Sequence, residues 1–517
     1  MWPERTPRVE HMLLESLDWA AAAAGPDGAA RMLAAQADLL GVMAGGEGGL
    51  RSGPAGNQAW QHAFSALEHE SISAGVSALA RVRRDWLGTP DRLIRAARHY
   101  ERAAQTLIRL AVMGVTERVR LGVGQRPPTG LWVTARCPAR ADISGGWSDT
   151  PPICYEMGGL VVDLALCIDG VKPIGARVRR TSDTRAVRLK ICGPHGDQSL
   201  ELTSVDEFRD YNSPAAPGAL LKCALIVTEI VDLDSDATLK NQLNKTLGGG
   251  LEAETWSRLP QGSGLGTSSI LAAALVSALW TVSGRTYTKD DVIHATLYME
   301  QVATTGGGWQ DIAGGVAGGV IACSSPSPDK GVPFAVGVEW LAVPRHLPAV
   351  LARHCALVFT GRVRLARNLL QTVVRNWYAR EPRLVATFRR LVENARAMRA
   401  ALTEGDLQAV GDRMNVYNSQ KNELTPSALP EVVQKILVTL RPLLLGATIM
   451  GAGGGGFLLV LTRQPDQTDA VRAALERLGP AEERLSVHSV SVDPDGLEVT
   501  VGDAPLPLRQ NCANYAV

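Results

Sequence analysis

Apolar residues recur every three or four positions in "RMLAAQADLLGVMA" (31–44) and in "PDRLIRAARHYERAAQTLIRLAVMG" (90–114), which predicts helices. The stretch between them, "AGGEGGLRSGPAGN", has no period and reads as a flexible connector. Residues 1–125 are therefore expected to form a helical segment without recognisable chemistry, a packing scaffold or docking surface. After "GQRPPTG" the pattern shifts to alternation. "LWVTARCPARADIS", "GGLVVDLALCIDGVKPIGARVRR", "AVRLKICGPHG" and "SLELTSV" predict strands. "GALLKCALIVTEIVDL" and "KDDVIHATLYMEQVA" then predict helices, and "GVAGGVIAC" a returning strand. This gives an α+β domain over 130–335.

"HCALVFTG" opens a second α+β domain, expected over 350–500. Its helices fall in "RLARNLLQTVVRNWYAR", "PRLVATFRRLVENARAMRAALTEG", "LPEVVQKILVTLRPLL" and "TDAVRAALERLG". "GATIMGAGGGGFLLVLT" places a glycine loop between two short strands, and "RLSVHSVSV" adds a last strand. Residues 501–517 read as a loosely structured tail.

Composition narrows the function classes. The 517 residues are 45% hydrophobic and 20% charged with a formal net charge of +1, an ordinary globular balance. Nothing in that balance steers the chain toward nucleic acid or a membrane surface. The eight cysteines form no CxxC pair, so reduced thiols and a cytoplasmic location are expected. The opening does not read as a signal peptide, and no uninterrupted apolar run reaches the ~18 residues of a membrane span. The histidines show no metal-ligand spacing.

Four segments could carry chemistry. In "LPQGSGLGTSSILAAALVSALW" (259–280), Pro260 leads into a loop where Gly262, Gly264 and Gly266 alternate with Ser263 and Leu265. Thr267, Ser268 and Ser269 then open a helix of strong formers. Free amides and the dipole at a helix start favour an anion, phosphate above all. The loop lacks the Lys-Ser/Thr of a Walker A sequence and the βαβ setting of a dinucleotide fingerprint. The bland alternative is a glycine turn capping a core helix. In "MEQVATTGGGWQDIAGG", Glu300 and Asp311 flank three glycines. Phosphoryl transfer needs one carboxylate for Mg²⁺ and another to orient or deprotonate the attacking hydroxyl. Asp311 could equally be a turn residue. In "CPARADISGGWSDTPP", Arg140, Asp142 and Asp149 suit polyhydroxyl recognition, or else form a surface salt-bridge cluster. "GAGGGGFLLVL" is weak by itself, and Arg362, Arg364 and Arg367 read as a solvated helix face rather than a phosphate clamp.

Together and in this order, "CPARADISGGWSDT", "PQGSGLGTSS" and "GAGGGGF" resemble the three motifs of the GHMP kinase superfamily, over roughly 131–495. Within it, "SGGWSDTPPICYEMGG", "TGGGWQD" and "TGRVRLARNLLQ" look like the L-fucose kinases. The resemblance implies an α+β, two-lobed fold with the active site between lobes, a left-handed βαβ crossover in the N-terminal lobe and a ferredoxin-like C-terminal lobe. It implies ATP and Mg²⁺ as cofactors and L-fucose as substrate, phosphorylated on its anomeric hydroxyl. Gly262 to Ser269, with Gly453 and Gly454, would bind ATP; Ser268 and Glu300 would hold Mg²⁺. Asp311 would be the catalytic aspartate, Arg140 the basic residue near the transferred phosphate, and Asp149 a sugar contact. The family's usual Gly-Glu-His is Gly145-Gly146-Trp147 here, which leaves more of the sugar to Asp149 and suggests Trp147 stacking on it. The L-fucose kinases are longer, so only their C-terminal half is resembled, and residues 1–125 are expected to pack on the other half. A kinase for another sugar or sugar phosphate, and an inactive or regulatory protein of the same fold, are the alternatives.

Overall fold

The computed structural model describes residues 7–45, 57–69, 71–88, 90–192, 197–213, 216–260, 262–303, 307–326, 334–362, 367–478, 485–506 and 508. Most of the glycine-rich connector, and Arg364, lie outside them. The chain divides into two compact units, residues 1–114 with 370–385, and residues 115–369 with 386–517.

The first unit is helical: Pro7–Ala23, Pro26–Met43, Gln58–His69, Ile72–Arg84 and Pro90–Met113. Its core gathers Leu14, Leu33, Leu40, Phe64, Leu79 and Leu107 around Trp60, which stacks on His99 with ring centroids 4.6 Å apart. Arg83 is buried here and is matched twice, to Asp18 at 2.6 Å and to the Tyr100 hydroxyl at 2.8 Å. Buried cations need such pairing. Much of the helix Arg367–Tyr378, which sequence order assigns to the C-terminal domain, belongs to this unit, where Arg375 pairs with Glu101.

The second unit holds two large sheets and a two-stranded pair, Gly122–Val123 with Arg285–Thr286. One has seven strands in the order Ala504–Leu506, Glu498–Val501, Val133–Cys137, Ile174–Thr181, Gly250–Ser257, Val187–Cys192 and Gln198–Leu202. The Val187 and Gly250 strands run parallel and the other neighbours antiparallel. Thr267–Val282, an almost wholly buried helix, packs on this sheet. The second sheet has eight strands: Gly337–Trp340, Val320–Ser325, Gly159–Ile168, Leu485–Val492, Cys355–Thr360, Phe457–Thr462 and Leu444–Ile449 in order, with Ala139–Ser144 paired to Gly159–Ile168 off that path. Numbered along the chain, its last four strands run 4-1-3-2, the ferredoxin-like order. Residues 166–168 pair with 490–492, so one sheet runs through both lobes.

Several elements differ from the sequence expectation. The chain beyond 500 is no loose tail as far as Leu506: Glu498–Val501 and Ala504–Leu506 form a hairpin on the first sheet. The helix expected through Leu233 stops at Val227, where Thr228 bonds back to the Ala224 carbonyl and Glu229 turns to φ 58°. Gly315 to Ala317 continue the helix Gln310–Ala317; the strand starts only at Val320, after Gly318 and Gly319 reverse the chain. The largest omission is the helix Leu407–Leu424, capped by the Asp406 side chain on the Ala409 amide. Its buried stripe is Val410, Met414, Tyr417, Lys421 and Leu424, and two polar members out of five mask the apolar period.

Candidate active site

The helix Thr267–Val282 begins at Gly266, whose φ of 76° follows 73° at Gly262 and 78° at Gly264. Side chains rarely adopt that region, so alternate glycines let the loop curl over the helix start. Ser263 fixes it from within: its hydroxyl accepts the Leu265 amide at 3.3 Å and contacts the Thr267 hydroxyl at 3.1 Å. Among the described residues, no acceptor meets the backbone N–H of Gly264, Gly266, Thr267 or Ser268. Four such donors at the positive end of a helix dipole suit an anion. Pro260 lies where the chain enters the loop, and Leu265 is buried beneath it.

Arg140 and Asp311 sit against this loop. A Cβ on Gly266 would lie 3.1 Å from that of Asp311 and 3.3 Å from Arg140 Cγ. The Arg140 guanidinium donates to Asp311 Oδ1, through Nε at 2.6 Å and through Nη2. Arg140 is buried, whereas the Asp311 side chain keeps 30% of its surface exposed. Burial works against the charge on Arg140, yet Asp311 and Asp142 hold it above its ordinary value. The pair is a buried cation and a partly exposed carboxylate against the start of that helix.

Asp142 lies where it cannot serve a ligand. Oδ1 accepts from Arg140 Nη1 and from the Gly451 amide at 2.9 Å; Oδ2 accepts from the Tyr417 hydroxyl at 2.5 Å and Lys421 Nζ at 2.9 Å. Those four bonds use a carboxylate's whole lone-pair capacity. The sugar contact expected of Asp142 is therefore replaced by an internal anchor. Burial alone would raise its carboxyl, but Lys421 and Arg140 hold it below the usual carboxylate range. Tyr417 and Lys421 come from the helix that sequence periodicity missed.

Asp149 and Trp147 have the opposite character. Both are buried, and Asp149 Oδ1 and Trp147 Nε1 have no partner among the described residues. Asp149 Oδ2 accepts the Gln310 backbone N–H at 3.2 Å. Burial, reinforced by the Asp311 carboxylate, pushes the Asp149 carboxyl up to about 7. Native proteins rarely leave such atoms unpaired except where a ligand completes them. Trp147 adopts φ 76°, a conformation uncommon outside glycine. Asp163, opposite Asp142 in the strand pairing, is a further fully buried carboxyl with both oxygens unpartnered among the described residues. Burial drives it well above the ordinary range.

Ser268 and Glu300 are the residues expected to hold a metal. Glu300 is buried and its Oε1 accepts from the Ser269 hydroxyl at 2.7 Å, one residue beyond the expected Ser268, which is exposed on the first turn. Gly453 and Gly454, expected at the nucleotide, spend their amides on the Met450 and Ala428 carbonyls. Gly451 and Gly456 are members of that run that meet the glycine loop, their Cβ positions 3.0 Å from the Gly264 carbonyl and 2.3 Å from the Ser263 carbonyl.

Comparison with known proteins follows the same division. Residues 235–319 match the family described as GHMP kinases N terminal domain, and 398–481 match GHMP kinases C terminal. The bifunctional fucokinase/GDP-fucose pyrophosphorylase of Arabidopsis thaliana is 35% identical over 357 residues, 69% of this chain and 32% of that protein. The L-fucokinase/L-fucose-1-P guanylyltransferase of Bacteroides fragilis is 32% identical over 67% of this chain and 36% of its own length. The chain thus spans about a third of the length of the curated relatives it matches. A D-glycero-D-manno-heptose 1-phosphate kinase from Bacteroides thetaiotaomicron shares the fold, with TM-score 0.51 at 17% identity over 73% of this chain and 100% of that one. Among the described residues no helix is long and apolar enough to cross a membrane.

Proposed function

We propose that this chain, which carries the N-terminal and C-terminal domains of the GHMP kinases, transfers the γ-phosphoryl group of ATP to the anomeric hydroxyl of L-fucose, giving L-fucose 1-phosphate. The substrate is suggested by what the two curated relatives are named for. The observation that carries the chemistry is the Arg140–Asp311 pair lying against the free amides of the phosphate loop. Asp311 receives the proton of the sugar O1–H as O1 bonds to phosphorus and the bond to the ADP oxygen breaks. Arg140, already fixed by Asp142, stabilises charge on the transferring oxygens without reorganising.

Mg²⁺ fits the donors present. The Glu300 carboxylate and the hydroxyls of Ser268 and Ser269 are hard oxygen ligands at the helix start, and Mg²⁺ commonly takes one or two protein oxygens and completes its shell with phosphates and water. When bound, it would neutralise phosphate charge. Such a site needs no cluster of three acidic or histidine ligands, and among the described residues there is none.

The direct test is ADP release from Mg·ATP across a panel of sugars, with the position of the new phosphate read by NMR. Turnover of L-fucose at C1 above the other sugars is expected. ATP binding with silence on every sugar would overturn the assignment for this chain.

Asp149 makes the sugar step pH-dependent. Its carboxyl is raised to about 7 in the free protein, and hydroxyls donating to Oδ1 favour the ionised form and lower that value. L-Fucose binding therefore releases a proton near pH 6.5, and affinity weakens as pH falls through 7. Calorimetry in two buffers of different ionisation enthalpy measures the release, which Asp149→Asn abolishes. Binding that is flat with pH and releases nothing rules out this role for Asp149.

A further inference from the structure

We propose that Gln310 is a second hydroxyl-reading residue of the sugar pocket, its side-chain carbonyl accepting one hydroxyl of a diol whose neighbour is taken by Asp149; this rests on the sugar-kinase reading above. Gln310 stands immediately before Asp311, at the start of the helix Gln310–Ala317. Its amide N–H donates to Asp149 Oδ2, so the two residues are locked to one another. Gln310 Oε1 is buried and, like Asp149 Oδ1 and Trp147 Nε1, has no partner among the described residues. Two acceptors and one donor left open in one place match the mixed donor and acceptor surface of a polyol. They do not match an apolar or singly charged ligand.

Two glycines let the backbone come up against these side chains. A Cβ on Gly146 would overlap the Tyr417 hydroxyl and stand 2.8 Å from Gln310 Oε1, and a Cβ on Gly308 would overlap Asp149 Oδ2. A side chain at Gly146 would therefore crowd Gln310 Oε1, and one at Gly308 would displace Asp149 from its bond to the Gln310 backbone amide. The anchor Asp142–Tyr417 closes the pocket on that side, because Asp142 Oδ2 is only 2.7 Å from the same Gly146 point. Asp142 is spent internally, whereas Asp149 and Gln310 each keep an open acceptor. The adjacency of Gln310 to Asp311 also fixes which hydroxyls are read. With O1 directed at Asp311, Gln310 reads a hydroxyl close to the reacting carbon.

The experiment pairs the full-length chain and Gln310→Met, a substitution that keeps side-chain length and removes the acceptor, with L-fucose and its 2-, 3- and 4-deoxy analogues. Sugar binding is followed by calorimetry and turnover by ADP release. The variant is expected to lose roughly 10- to 100-fold in affinity and kcat/KM on L-fucose. On one deoxy analogue, the one lacking the hydroxyl that Gln310 reads, wild type and variant should be equal. An equal penalty on the parent sugar and all three analogues would make Gln310 a structural prop of Asp311 and overturn the proposal, as would no penalty at all. If sugars bind but none is phosphorylated, the kinase reading fails for this chain while the binding comparison still decides Gln310. If none binds, the proposal falls.

Discussion

Asp311→Asn should reduce turnover by roughly 10²- to 10⁴-fold while leaving Mg·ATP affinity nearly unchanged. The amide has the size of the carboxylate and can still accept from Arg140 Nε, which reaches the native oxygen at 2.6 Å. It cannot take a proton from the sugar hydroxyl. Asparagine is preferred to alanine because it keeps the oxygen to which Arg140 Nε and Nη2 donate, which alanine would remove. ADP release and nucleotide titration on the same preparation decide the matter. A parallel loss of ATP binding and turnover would mean that Asp311 shapes the loop and is no base.

Lys421→Met carries the largest expected cost in stability. Lys421 is fully buried, pairs with Asp142 at 2.9 Å and donates to the Ile449 carbonyl at 2.5 Å. Removing one partner of a buried pair leaves the other charge uncompensated, at a cost of roughly 3–5 kcal/mol. Arg140 softens that, since it also faces Asp142, but Arg140 is already shared with Asp311. The denaturation midpoint should fall accordingly. Turnover of the folded fraction should fall too, because the carboxylate that aims Arg140 loses its backing. Adding Asp142→Asn to Lys421→Met should recover part of the stability, the sign of direct coupling. A single variant as stable as wild type would show that the Asp142 charge needs no second cation.

The sequence made the loops legible and left the supports hidden, for a physical reason. Glycine at alternate positions before a helix predicts a tightly curled loop, and Gly262, Gly264 and Gly266 have the φ values of one. The strands and the glycine-linked placement of Asp311 were similarly readable from alternation and spacing. The helix Leu407–Leu424 was not, because its buried stripe contains a tyrosine and a lysine whose partner lies far back in sequence. Periodicity reports apolar burial only, and a buried cation reads as a surface residue. The role of Asp142 failed in the same way: spacing put three charges together but could not say which would be spent internally. Gln310 was passed over because an amide beside a motif aspartate looks like a neighbour until its carbonyl is found buried and unpaired.

The strand order has a consequence for how this chain could be divided. The two matched domains are consecutive in sequence, which invites a cut near residue 345. An N-terminal piece ending there would strip Val133–Cys137 of its neighbour Glu498–Val501, exposing a raw edge in the first sheet. It would also strip Leu166–Ile168 of Val490–Val492 and leave Asp142 without Lys421. The complementary piece would carry a lysine built for burial and a hairpin with nothing to join. The two domains can be told apart by ancestry, but they are obligate halves of one folding event. Fragments made at that boundary would regain order only by complementing each other.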